Sequence, residues 1–463
     1  MTPLATSPAV PAMRALSWRA HLRALVVLGL PLVGSNLAQM SLHVTDTVML
    51  GWYGVDALAA VVLGASFFFM VFILGSGFGV AAMGMVAAAV GRGDEVQVRR
   101  DVRMGLWLST LFGICTLPLF WWSAPILRVL GQDEALSALA QSYLRIVGWG
   151  MVPALLIMVL KSFLSAMERA GIVLWATLGA ALGNGLLNWM LIFGNWGAPE
   201  LGVRGAALAS LGAQAVSLAV LAAYAGWHPA LRRFRIFARL WRPDWPAFGQ
   251  LARLGMPVGL TGLAEGSLFT AAALMMGWIG TVELAAHGIA LEAASLAFMV
   301  HLGIASAATV RVGRAEGEGD REGMRRAALA AIALSVIFGL GVTALFLVAA
   351  GPIVGLFLDE ANPAAPDILA FGITLLAVAA LFQMFDALQC MALGLLRGVR
   401  DTAVPMGLAT ISYWAVGIPA SFVLGFPLGL GGVGLWLGLV VGLALAAALL
   451  MARFWLRQFP RVA

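Results

Sequence analysis

Three carboxylates, Asp46, Glu265 and Asp386, stand inside long apolar runs of this chain. An acid at the centre of a membrane-spanning helix costs about 2.5–3.5 kcal/mol on insertion scales. Acids kept at that cost face a bundle interior or a cavity and mark an ion or substrate path. The chemistry open to them is reversible capture of a proton or small cation. Counting along a helix at about 1.5 Å per residue gives each a depth from the nearest arginine. Glu265 lies 12 residues past Arg253 and Asp386 lies 11 before Arg397, roughly 18 and 17 Å in. At matching depth on different helices, they are expected to share one cation site. Asp46, 23 residues past Arg23, lies roughly 35 Å along its helix, with His43 one turn away. Asn184 and Asn188, at i and i+4, share a helix face and are placed to hydrogen-bond Asp46. They serve equally well as interhelical glue. Glu292, 19 residues before Arg311, is expected near the outer end of its helix, reaching headgroups or water.

The elements that hold these residues follow from composition. The chain has 463 residues, 62% hydrophobic and 11% charged, with mean hydropathy +0.95. That describes an all-α integral membrane protein; a β-barrel would alternate in segments of about ten residues. Apolar runs predict twelve transmembrane helices near 24–50, 57–87, 103–123, 137–166, 171–194, 203–227, 250–280, 284–310, 326–350, 366–396, 402–425 and 430–455. The net charge of +6 sits in short arginine-bearing loops and reads as topology, not nucleic-acid binding. With the N-terminus inside, only Arg128 and Arg204 fall in outer loops, so the positive-inside rule puts both termini in the cytoplasm. The organisation is a cytoplasmic tail (1–23), an N-lobe (24–227), a cytoplasmic linker (228–249), a C-lobe (250–455) and a second tail (456–463).

The two halves repeat. LGLPLVG at 28–34 returns as LGMPVGL at 254–260, an offset of 226. Ala59-Ala60, Arg99-Arg100 and Asp133-Glu134 recur as Ala285-Ala286, Arg325-Arg326 and Asp359-Glu360 at the same offset. Six helices per half give parallel repeats about a pseudo-two-fold axis along the membrane normal, a transporter architecture. Under that shift Glu265 falls on Gln39, Asp46 on Ala272 and Asp386 on Leu160. The frame is duplicated while the acids are not, which argues for a function particular to each lobe. Pro31 and Pro257 are equivalent in the repeat and are expected to interrupt the starts of their helices as hinges. Lys161, the only lysine, is expected to snorkel to the inner interface. No HExxH or paired Cys/His spacing accompanies the acids, so neither a metal, a cofactor nor an enzyme is expected.

The stretches LGLPLVGSNLAQMSLHVTDTVMLGWYG, AAHGIALEAASLAFMVHLGIASAATVRVGRAEG and ALGLLRGVRDTAVP resemble the MATE (multidrug and toxic compound extrusion) family, in its NorM-type members. The likeness runs over nearly the whole chain. It implies export of amphipathic, often cationic drugs across the bacterial inner membrane in exchange for Na⁺ or H⁺, by a monomer. The family's functional acids map onto Asp46, Glu265 and Asp386, with Asn184 and Asn188 beside the first. An aromatic residue one turn before the helix 10 acid, typically tyrosine, is Phe382 here, which lacks the hydroxyl. Glu292 stands where many relatives carry an uncharged amide. The alternative is a lipid-linked oligosaccharide flippase, which would need several cavity-lining basic residues for a pyrophosphate. An intramembrane enzyme or a receptor leaves the duplicated frame unexplained.

Overall fold

The computed structural model describes residues 17–358 and 363–461. Asp359-Glu360 of the repeat, most of the N-terminal tail and residues 462–463 lie outside them. Twelve helices are long and apolar enough to cross a membrane: α1 Trp18–Tyr53, α2 Val55–Gly91, α3 Glu95–Trp121, α4 Glu134–Ala166, α5 Ala170–Phe193, α6 Val203–Trp227, α7 Trp245–Ile279, α8 Thr281–Glu318, α9 Arg321–Val348, α10 Ala365–Gly398, α11 Ala403–Gly425 and α12 Gly431–Arg461. No strand occurs among the described residues.

Several helices overrun the apolar stretches that announce them. α1 starts at Trp18 rather than 24, α3 at Glu95 rather than 103, and α8 runs to Glu318 rather than 310. The added turns are arginine-bearing and cap well, so helix geometry continues where hydropathy falls. Residues expected in the two tails are therefore partly helical, and α12 extends to Arg461. The prolines are also repositioned. Pro31 and Pro257 lie inside continuous helices, not at their starts. Each removes a backbone bond about three turns in, a site where bending costs little.

The repeat is visible in which helices touch. In the first half α1 packs on α5, α2 on α3 and α4, α3 on α4, α4 on α6, and α5 on α6. In the second, α7 packs on α11, α8 on α9 and α10, α9 on α10, α10 on α12, and α11 on α12. The halves meet through α2–α7 and its symmetry mate α8–α1, and through α2–α8 on the axis. Even the turns repeat. Gly93 and Gly319 take φ of +70° and +66°, a left-handed conformation that glycine adopts without penalty. The aspartate after each, Asp94 or Asp320, then caps the next helix by accepting from Gln97 N or Gly323 N, both at 2.9 Å.

The arginine-rich face is shut. Along α2, Gly77, Gly84 and Gly91 recur every seven residues and press on the other half. A Cβ at Gly77 would run into Gly255 and Gly259 of α7, one at Gly84 into the Arg397 carbonyl, and one at Gly91 into the Arg314 carbonyl. Ion pairs reinforce the seal across the two halves. Glu168, in the α4–α5 turn, accepts from Arg311 and Arg314 of α8, both at 3.3 Å. Asp244, capping α7, pairs with Arg100 of α3 at 2.5 Å. Large apolar side chains such as Leu30, Leu182, Leu274 and Ile337 point outward, as lipid-facing positions require. Exposed Trp18, Trp227, Trp241 and Trp245 lie near the arginine-rich face, and Trp52, Trp122, Trp196 and Trp278 near the other. These two belts mark the bilayer interfaces.

Candidate functional site

The candidate acids lie in two polar clusters, one per half. In the first, Asn188 Nδ2 donates to Asp46 Oδ1 at 2.5 Å and to Asn184 Oδ1 at 3.2 Å. Ser210 Oγ of α6 donates to Asp46 Oδ2 at 3.2 Å. One helical turn separates the asparagines on α5, and α5 packs along α1, so the fold brings Asp46, Asn184 and Asn188 together. Ser210 completes the set; a lone serine in an apolar helix gave no signal of it. Asp46 lines a cavity of about 120 Å³ together with His43, Gln39, Phe72, Lys161 and Gln214, among others. That volume takes several water molecules. A drug-sized molecule needs more, and every residue lining this cavity belongs to the first six helices.

In the second half, Gln389 of α10 is the centre. Its Nε2 donates to Glu265 Oε1 of α7 at 2.7 Å and reaches Asp386 Oδ1 at 3.4 Å. Its Oε1 accepts from the Tyr413 hydroxyl of α11 at 2.5 Å. Glu265 and Asp386 are thus brought to one place, bridged by an amide. Neither Gln389 nor Tyr413 was singled out from the sequence, although Gln389 lies one turn after Asp386. Phe382 is buried one turn before Asp386 and packs edge-on against Trp436 at 5.1 Å and Phe269 at 6.0 Å. It shapes the apolar wall, while the tyrosine hydroxyl in this cluster comes from Tyr413 instead. Among the described residues no group of three or more His, Cys, Asp or Glu gathers as a metal-ion cage.

Two expectations change. Lys161 does not snorkel; its Nζ turns inward to Asn36 Oδ1 at 3.0 Å and lines the Asp46 cavity. Glu292 is not at a helix end. α8 begins at Thr281, so Glu292 sits three turns inside, roughly 16 Å along the axis. It is half-buried and joins neither cluster. Arg145 is exposed and stacks over Trp121, 5.6 Å from the ring centre.

A parallel-duplicated twelve-helix bundle with buried acids in both halves defines a membrane transporter. The MatE family model matches residues 31–190 and 257–423, segments that start 226 residues apart. The chain belongs to the MATE family of transporters and is not an enzyme. It is 49% identical over 439 residues to the probable multidrug resistance protein NorM of Rhizobium meliloti, covering 95% of this chain and 94% of the relative. It is 36% identical over 436 residues to the protein of that name from Synechocystis, covering 94% and 95%. The fold matches an outward-facing multidrug resistance MATE transporter with TM-score 0.87 at 22% identity, over 98% and 99% of the chains. It also matches the eukaryotic MATE transporter AtDTX14 with TM-score 0.86 at 21% identity, over 96% and 98%.

Proposed function

We propose that this transporter exports amphipathic, often cationic compounds in exchange for Na⁺ or H⁺ by alternating access. Its place is the bacterial inner membrane, with both termini cytoplasmic. The observation that carries the reading is the Glu265–Gln389–Asp386 cluster, two acids joined by one amide within a half whose partner half holds a separate acid-lined cavity. Gln389 spends its donors on the carboxylates and its acceptor on Tyr413, so the acids keep lone pairs free for an ion. A proton shared between them or a Na⁺ neutralises charge that is otherwise costly at this depth. With the arginine-rich face sealed, that ion enters from the opposite face. Loading the site repacks α7 and α8, and α7 carries Glu265 and the bend-prone Pro257 on one helix. Asp46 is the rival carrier, with α1 bending at Pro31. One charge crossing 100 mV contributes about 2.3 kcal/mol of drive per ion. The names of the NorM relatives, multidrug resistance proteins, support the same reading. The flippase reading is weaker, because Lys161 is the one lysine or arginine among the residues lining that cavity.

Everted vesicles with imposed Na⁺ or H⁺ gradients test this. Efflux of a lipophilic cation under either gradient is expected, and none under both would refute it. In the same assay, Glu265→Gln and Asp386→Asn should abolish coupling. Normal transport by both, with Asp46→Asn dead, would move the coupling site to the first half.

A further inference from the structure

We propose that a groove at the arginine-rich face, between the first turns of α7 and the α10–α11 turn, holds the phosphate headgroup of an anionic phospholipid from the adjoining leaflet. The ligand is a lipid and not cargo, so the proposal stands apart from the efflux reading. The groove encloses about 620 Å³ and is lined by Trp245, Gln250, Arg253 and Arg400, among others. Two of these side chains are cationic, and none of the lining residues is acidic. Arg253 is exposed and makes no hydrogen bond or ion pair among the described residues. Arg400 gives one nitrogen to Glu316 of α8 and keeps donors for a second acceptor. Asp244, beside the groove, is taken by Arg100 of α3 at 2.5 Å. Positive charge is therefore left in excess here, on guanidinium forks that match phosphate oxygens.

The surface beyond the arginines points to a lipid and not a free anion. Arg253, Met256 and Leu260 follow at i, i+3 and i+7 along one face of α7, and all three are exposed. α11 packs on α7, and its Val404 and Ile411 also face outward. An acyl chain rising from a headgroup at Arg253 meets apolar side chains at once. Trp245 comes eight residues before Arg253, roughly 12 Å along the axis. It is exposed and flanks the groove on the water side, at the headgroup level that tryptophan favours. The pair of arginines is particular to the second half. Arg253 falls on Val27 under the shift of 226. Arg400 has its counterpart in Glu168, since each is the left-handed residue of its turn, with φ of +60° and +56°. That acid is already held by Arg311 and Arg314. Pro257 lies one turn beyond Arg253, so a phosphate held by both arginines ties the foot of α7 to the α10–α11 turn just below the bend.

Native mass spectrometry of the purified full chain, titrated with dioleoyl phosphatidylglycerol or dioleoyl phosphatidylcholine, tests this. The wild-type chain should prefer the anionic lipid. That preference should fall about fivefold in Arg253→Gln and further in the double variant Arg253→Gln/Arg400→Gln. Arg253→Lys, which keeps the charge, should retain most of it. Arg23→Gln, at an exposed arginine on the equivalent helix of the first half, should leave it unchanged. A preference untouched in the folded double variant would overturn the proposal. Equal loss in Arg23→Gln would overturn it too, by showing diffuse surface charge in place of a site. Displacement of the lipid by an equal concentration of inorganic phosphate would do the same, by making the ligand a free anion.

Discussion

Glu168→Gln should unlatch the arginine-rich face. Glu168 takes both Arg311 and Arg314 of the other half at 3.3 Å. Arg314 keeps Glu318 at 3.0 Å. Arg311, 3% exposed, is left with His21 at 3.4 Å and an amide where a carboxylate stood. Breaking a buried pair by removing one charge costs about 3–5 kcal/mol. The Glu168 side chain is 37% exposed, so water screens part of this, and the glutamine oxygen still accepts one bond. A discounted cost of about 1.5–2.5 kcal/mol is appropriate. It falls on the closed arrangement alone, because opening hydrates the arginines. The balance between the two arrangements should therefore move roughly 10- to 60-fold toward opening. Spin labels at exposed Val96 and Arg321, on the first turns of the equivalent helices α3 and α9, report the distance between halves at this face. A longer-distance population should grow in Glu168→Gln. An unchanged distance distribution, with the variant folded, would refute the latch.

Tyr413→Phe should strand the buried Gln389 Oε1, a penalty of about 1–3 kcal/mol, and weaken apparent affinity for the coupling ion about 5- to 150-fold; ion titration of transport reads this. Gly84→Val should force α2 off α10 and lower thermal stability by about 1–3 kcal/mol, whereas Gly179→Val, which meets nothing within 4 Å, should be nearly silent in the same melt. The Arg100 guanidinium holds the Asp244 carboxyl below its ordinary range. A depressed folded value means that the pair stabilises above the ordinary carboxylate pKa and is lost as pH falls through the depressed one. Asp244→Asn keeps a helix cap but loses the pair, so it should cost about 1 kcal/mol near neutrality, and melts of both proteins should converge in acid.

What could be read from the residues divides along physical lines. Uninterrupted apolar runs make twelve spans legible, because nothing else buries so many side chains in lipid. Depth counting found the Glu265–Asp386 pair, since helical rise is nearly constant and both acids sit near a charged landmark. The i, i+4 spacing found Asn184 and Asn188 for the same reason. Gln389, Tyr413 and Ser210 stayed hidden because a neutral polar residue in an apolar helix is inexpensive and common. Lys161 was misjudged because snorkelling depends on side-chain direction, and Asn36, which turns it inward, carries no charge to announce itself. Helix ends and the placement of Pro31 and Pro257 failed together, since hydropathy sees the lipid-facing stretch and not the helix that continues past it.

The middle of α11 departs from its repeat partner. Ile411–Gly417 is wound as a π-helix, while its repeat partner α5 is ordinary α-helix from Ala170 to Phe193. Such π turns inside α-helices are rare and frequently sit at functional sites. Tyr413 lies within that π turn, and its hydroxyl is what engages Gln389. Rewinding 411–417 as ordinary α-helix would rotate Tyr413 about the axis and withdraw it from Gln389. The placement of that hydroxyl thus depends on how one helix is wound, not on an added charge.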